Sequence, residues 1–429
     1  MTIRFSALKT GGALSIASMI LSLCGEAQTT LTTLYEFSSR TFDGAHPEGI
    51  VIGSGGVLYG TTKNGGTSRM GTVFSLTPPA SPGGGWTEAV LHNFTGRDGS
   101  NPVAGVVIGQ DGVLYGTTNS GGIQSCGDTT FGTVFSLTHA ASPGGAWTET
   151  VLHGFTGVDG AHPSSNLAIG SGGVLYGTTY EGGTSGYGTV YSLTPRASAG
   201  GAWNEQVLYS FAGGADGDWP SSGVLIGDGG VLYGTTRLGG TTTYCGNCGA
   251  IYSLTPPVST GDAWTESLIY TFPNYFGGIF PLGDLAIGDG GVLFGEAESG
   301  GTSMHGTVFS LTPPSAKGGA WTQVTLHDFA GPPSDGQEPF GGVVIGLDGV
   351  LYGITYAGGY QGGRGGYGVG TVFSLTPPGW SETLLHEFAG YPNDGAYPSS
   401  LVIGEDGVLY GTTYKGGSAH AGVVFRLRP

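Results

Sequence analysis

Positive charge is scarce in this chain: 13 Lys and Arg face 30 Asp and Glu in 429 residues, and only 10% of the sequence is charged. A net charge of −17 excludes partners that are bound by neutralising phosphate, so nucleic acid and anionic lipid are set aside. Long apolar runs are missing after the first 23 residues, so no later segment is expected to span a membrane. No Gly-rich phosphate loop, Gly-x-Ser-x-Gly elbow or His-Glu-x-x-His helix occurs, and no stretch carries the 3.6-residue period of an amphipathic helix. Cysteine is limited to Cys24, Cys126, Cys245 and Cys248.

The N-terminus is the exception to the missing apolar runs. Arg4 and Lys9 precede the run Gly11 to Leu23, and Gly25-Glu26-Ala27 offers small residues for a signal peptidase before Gln28. Residues 1–27 are read as a secretory signal and 28–429 as the mature chain, released outside the cell or into a periplasm. A lipid anchor on Cys24 is the competing reading, disfavoured because Leu23 stands where a lipoprotein signal wants a small residue. Three cysteines then remain, and Cys245-Gly-Asn-Cys248 suits a local disulfide in an extracytoplasmic compartment, with reduced thiols as the alternative. A redox pair would open a helix and a zinc half-site would need a second ligand pair, and the sequence offers neither.

What the chain has in abundance is repetition. Val57-Leu-Tyr-Gly-Thr-Thr62 returns at Val113, Val174, Val231, Val292, Val350 and Val408, roughly every 58 residues, the mark of a repeat architecture. Its 89 Gly sit at fixed repeat positions, and 38% apolar with 11% aromatic residues give enough burial for order. Each unit holds four β-branched or aromatic segments bounded by Gly or Pro, which predicts four short strands in meander order. Ser54-Gly55-Gly56 or Gln110-Asp111-Gly112 joins the first two as a tight type I′ hairpin. In the second strand neither face is uniformly polar, so both must be covered, and Gly60 is expected to admit a side chain from the adjoining sheet. Radial stacking of small sheets meets these demands.

The phase of the repeat gives an independent argument. Leu31 to Phe37 matches a fourth strand, and Gly422 to Arg428 matches a third, so the last unit lacks the strand with which the mature chain begins. The expected fold is an all-β, seven-bladed β-propeller of four-stranded antiparallel blades, closed by the N-terminal strand joining the C-terminal blade. An open stack would leave both ends with raw edges.

The pattern Asp-Gly-x-x-Pro, Ile-Gly-x-Asp-Gly-Val-Leu-Tyr-Gly-Thr-Thr, Gly-Gly, Gly-Thr-Val-Phe-Ser-Leu-Thr-Pro resembles the GloVer (Gloeo/Verruco) tandem repeat of exported bacterial proteins, across essentially the whole mature chain. The resemblance implies export and, in some members, a C-terminal sorting or anchoring module; this sequence stops after its last repeat strand, which suits a freely released protein. The resemblance implies no established reaction, cofactor or catalytic residue.

Candidate chemistry lies in the loops after the second and fourth strands, which share one rim in most propellers. The Asp of each Asp-Gly-x-x-Pro is read as a turn residue accepting backbone hydrogen bonds. The residue before the Pro varies: His46, Asn101, His162, Trp219, Glu338 and Tyr397 are the candidate ligand-facing set, joined by Tyr275 and Phe276 of the divergent fifth unit. That unit also carries Gly295-Glu-Ala-Glu298 where the others have Gly-Thr-Thr and one further residue, and Glu296 with Glu298 make a carboxylate pair of the kind glycoside chemistry uses. His92, His153, His327 and His386 alternate with Tyr35, Tyr209 and Tyr270 at one position; a metal ring there is set aside because blades splay these positions apart. Trp86, Trp147, Trp203, Trp264, Trp321 and Trp380 are read as packing anchors.

The resulting functional expectation is an exported, monomeric binding or interaction module directed at an extracellular glycan or an envelope protein, with no cofactor and no metal. An extracellular carbohydrate-active enzyme (glycoside hydrolase or lyase) and a purely structural surface protein are the alternatives. The absent catalytic motifs lower the enzyme reading without removing it, because propeller enzymes assemble sites from separate loops.

Overall fold

A computed structural model describes residues 30–38, 42–81, 83–122, 131–139, 145–195, 203–240, 247–259, 261–316, 318–359, 368–392 and 394–429. Residues 1–27, the segment expected to be a signal, lie outside them, as do Cys126 and Cys245. Among the described residues no helix is long and apolar enough to cross a membrane.

Seven antiparallel sheets follow one another, each a meander. Blade 1 runs Gly44–Ile52, Leu58–Gly65, Thr72–Thr77 and Thr87–Asn93 from inside to outside. Blades 4 and 6 divide the inner strand in two, as in Asp218–Pro220 and Leu225–Ile226. Blade 7 takes its inner three strands from Gly395–Ile403, Leu409–Gly416 and Val423–Arg428 and its outer strand from Thr30–Glu36. The closing pairs run from Thr30 opposite Arg428 to Glu36 opposite Val423, and Phe37 N–H donates to Gly422 O at 3.0 Å. The ring is therefore closed by hydrogen bonds between the two ends of the chain, as the repeat phase requires.

The hairpin between inner and second strands has two consecutive left-handed residues, Gly55 (φ 69°) and Gly56 (φ 75°), or Asp111 (φ 55°) and Gly112 (φ 74°). This is the type I′ signature, and it matches the twist of the flanking strands.

Sheet faces are covered by neighbouring sheets. Seven apolar clusters form, one at each junction; between blades 7 and 1, for example, Ala421 and Val424 meet Ala45, Ile50, Leu58 and Phe74. A phenylalanine just past each outer strand packs edge-on against the third-strand aromatic of the next blade. Phe37 meets Phe74 at 5.1 Å, Phe94 meets Phe135 at 5.1 Å, and the series continues through Phe388 and Phe425 at 5.4 Å. All of these rings are buried, and each contributes roughly 1.5–3 kcal/mol through removal from water.

One expectation is corrected by the packing. The ring that lies over Gly60 comes from Phe74 of the same blade, whose Cζ would sit 2.7 Å from an added Cβ, and not from the adjoining sheet. Gly60 and Phe74 are direct cross-strand partners, so the aromatic folds back over the gap left by its own neighbour. Tryptophans behave as anchors: Trp147 packs edge-on against Tyr59 of the preceding blade at 6.0 Å.

Candidate functional site

Every blade except the fifth enters through an Asp-Gly-x-x-Pro turn, and the turn explains itself residue by residue. Asp98 Oδ1 accepts from Thr95 N at 2.8 Å and from Thr95 Oγ1 at 2.9 Å; Asp159 does the same with Thr156. Accepting these bonds, together with His92 or His153, outweighs partial burial and holds both carboxyls below the usual aspartate range. The residue before the proline is left-handed in every blade: His46 (φ 60°), Asn101 (54°), His162 (57°), Trp219 (58°), Phe280 (59°), Glu338 (57°) and Tyr397 (58°). Seven equivalent non-glycine residues with positive φ are costly, more so before proline, and need an external constraint.

The preceding blade supplies that constraint. His46 N–H donates to Ala421 O at 2.7 Å, His162 N–H to Phe131 O at 2.8 Å, and Tyr397 N–H to Val369 O at 2.7 Å. The proline that follows seats its ring on the preceding blade's glycine. At Gly422, itself at φ 94°, a Cβ would lie 2.4 Å from Pro47 Cδ, so no larger residue fits. Backbone bond and proline contact together hold the strained residue against the preceding blade.

At six junctions it meets the residue that follows Gly-Thr-Thr, or Gly-Ile-Thr in blade 6, along the preceding blade's second strand. His46 stacks on Tyr414 with centroids 4.5 Å apart, Trp219 on Tyr180 at 5.2 Å and Tyr397 on Tyr356 at 4.8 Å. Where one member is not aromatic the contact changes chemistry. Arg237 covers the Phe280 ring at 5.6 Å, Asn101 Nδ2 donates to Lys63 O at 3.4 Å, and His162 Nδ1 lies 3.0 Å from Asn119 O. Lys63 and Lys415 approach the Tyr414 ring at 5.7 and 5.8 Å. The result is a belt of contacts at six of the seven junctions, whose second-strand members Lys63, Tyr180 and Arg237 line, together with Glu298 and Phe340, a cavity of about 410 Å³.

Below the belt the inner strands bulge, at Pro47/Ile50, Leu282/Ala286 and Pro398/Ser400, and the extra residues turn into the axis. A second cavity of about 100 Å³ there is lined by Glu48, Asn166 and Asp284 among residues of all seven blades. Burial pushes Glu48 up to about 8, against the opposing pull of Lys63. Burial raises Asp284 too, while bonds from Asn166 Nδ2 at 2.8 Å and Gly223 N at 2.7 Å oppose it.

Two candidate assignments change. Tyr275 and Phe276 do not take the belt position of blade 5; Phe280 does, because the unit's turn is rebuilt as Tyr275–Gly277, capped by Asn274 Oδ1 accepting from Phe276 N at 2.9 Å. Phe276 is 70% exposed on that turn. Glu296 is not at the rim. It is 1% exposed between blades 5 and 6, with Oε2 accepting from Gly342 N at 2.9 Å and Oε1 without a partner. Glu298 does reach the mouth and pairs with Arg237 Nη2 at 2.7 Å. The belt partners Tyr180, Arg237, Tyr356 and Tyr414 were not singled out in the sequence, although their shared place directly after Gly-Thr-Thr was readable. Cys248 is buried and disulfide-bonded; its expected partner Cys245 lies outside the described residues.

The comparisons agree with this architecture. The extracellular domain of a protein described as a hybrid two component system from B. thetaiotaomicron is similar at 9% identity, covering 92% of this chain and 40% of that one, with a TM-score of 0.53. A gluconolactonase from Xanthomonas campestris is similar at 12% identity over 94% and 90% of the two chains, with a TM-score of 0.44. At 9% identity the match with the TM-score of 0.53 bears on the fold alone. No curated protein matches. The Gloeobacter/Verrucomicrobia repeat matches residues 18–165, 123–364 and 318–429, and the chain belongs to that family.

Proposed function

We propose that this propeller is an exported carbohydrate-binding module whose ligand seats in the mouth ringed by the belt. The observation that carries this reading is the belt: seven strained positions, identical in backbone and different in side chain, six of them in contact with the second-strand residues of the preceding blade, of which Lys63, Tyr180 and Arg237 line the mouth. A purely structural ring would gain nothing from varying these side chains while holding the left-handed backbone at each. Stacked aromatic pairs offer flat faces for sugar rings, and Lys63, Lys415, Arg237 and Glu298 offer the few directed polar groups that fix orientation. The N-terminal segment with its signal-like charge and apolar run supports a location outside the cytoplasm. A glycosidase built on Glu296 with Glu298 finds no support, because Glu296 is sealed between blades.

Calorimetric titration against a panel of soluble polysaccharides tests the proposal. A saturable response is expected for at least one glycan, and Trp219→Ala together with Tyr397→Ala weakens it about tenfold or more at an unchanged melting temperature. A panel without any binder, or binding untouched in both variants, contradicts it.

A further inference from the structure

The fourth-strand histidines do form clusters, though not with each other. The strand's His, the turn Asp that follows it and the Glu two residues after the next blade's Trp bring their donor atoms within 4.8 Å at three junctions: His92, Asp98 and Glu149; His153, Asp159 and Glu205; His327, Asp335 and Glu382. In the first two, His and Asp are already closed on each other at 2.9 and 3.0 Å. At the third, between blades 5 and 6, they are not. His327 Nε2 stands 3.4 Å from Asp335 Oδ2 and 3.7 Å from Glu382 Oε2, and although shielded from solvent it has no hydrogen-bond partner.

Those separations are long for hydrogen bonds and right for a shared ion. Two ligands held about 2.1 Å from one metal at the tetrahedral angle lie about 3.4 Å apart. The donor set is one imidazole nitrogen and two carboxylates, and Asp335 is oriented by bonds from Ala330 N and Gly336 N to its two oxygens, both at 2.6 Å. Such outer bonds are what fix a ligating carboxylate. At the junction of blades 4 and 5 the three groups become Tyr270, Asn274 and Gln323, so every ionisable donor of this set is replaced by a neutral one.

We propose that His327 Nε2, Asp335 and Glu382 bind one divalent ion of the zinc class, tying blade 5 to blade 6 and leaving a fourth position to water. The site is separate from the mouth and independent of any glycan.

The test uses tag-free full-length protein, stripped with chelator and titrated with Zn²⁺ by calorimetry, with bound metal counted by mass spectrometry. One equivalent is expected at micromolar affinity or tighter, with a rise in melting temperature on loading. His327→Tyr, which installs the residue found at three sister positions and so preserves the fold, and Glu382→Gln should each weaken that equivalent at least tenfold. His153→Tyr should leave it unchanged. Absence of saturable uptake, or a tight equivalent that survives in both His327→Tyr and Glu382→Gln, overturns the proposal.

Discussion

Glu296 occupies a position that is Thr in five of the other six repeats and Ile in the sixth. At four of the five Thr positions the hydroxyl donates to a carbonyl of the next blade, as Thr61 does to Ala104 O at 2.7 Å and Thr412 to Glu48 O at 2.6 Å. Glu296 instead accepts from the Gly342 amide through Oε2 and leaves Oε1 unmatched. Burial pushes its carboxyl up to about 8, far above the roughly 4.3 of an unfolded glutamate. A raised folded value means the folded state holds the proton more tightly. The stabilising contribution is complete below the unfolded value and is lost as pH rises through about 8. Glu296→Gln keeps the acceptor and removes the titration. Its melting temperature should run close to that of the parent at pH 5 and exceed it increasingly toward pH 9; parallel curves would contradict the burial argument.

At the scale of the strand, the unit of stability is the cross-strand pair of glycine with an aromatic ring. At Gly411 an added Cβ would lie 2.4 Å from Phe425 Cζ and 2.6 Å from Ser400 O. The ring is buried against Phe388 of the preceding blade and cannot move aside without opening that junction. Gly411→Val should therefore lower stability by about 1–3 kcal/mol, read from the urea midpoint. An unchanged midpoint would show that the ring can be displaced at little cost. Strands, turns and their order were legible in the sequence because alternation, Gly-Gly and Asp-Gly are local signals. The source of the ring over Gly60 was not legible, because the sequence shows that a glycine makes room and not which neighbour fills it. The His327 cluster escaped for a related reason. Comparing His with His across repeats asks about equivalent positions, whereas the contact joins His327 of one unit to Glu382 of the next, two positions that no periodicity aligns. Phe280 was missed because the rebuilt turn of blade 5 displaced the visible motif while the backbone kept its geometry.

At the scale of the molecule, the belt exists only because the ring closes. Each strained residue leans on the preceding blade, so His46 of blade 1 depends on Ala421 and Tyr414 of blade 7. Blade 7 in turn receives its outer strand from the start of the described chain. Binding at the mouth and the order of the N-terminal strand are thus linked through one junction, and loss of the strand should disturb His46 before any other belt position. Hydrogen exchange followed by mass spectrometry on the intact protein measures the closure directly. The account expects the bonded amides between Thr30 and Glu36 to exchange as slowly as those of the outer strand Thr87–Asn93 in blade 1; complete exchange at the earliest time point, while blade 1 stays protected, would contradict a ring closed by its two ends.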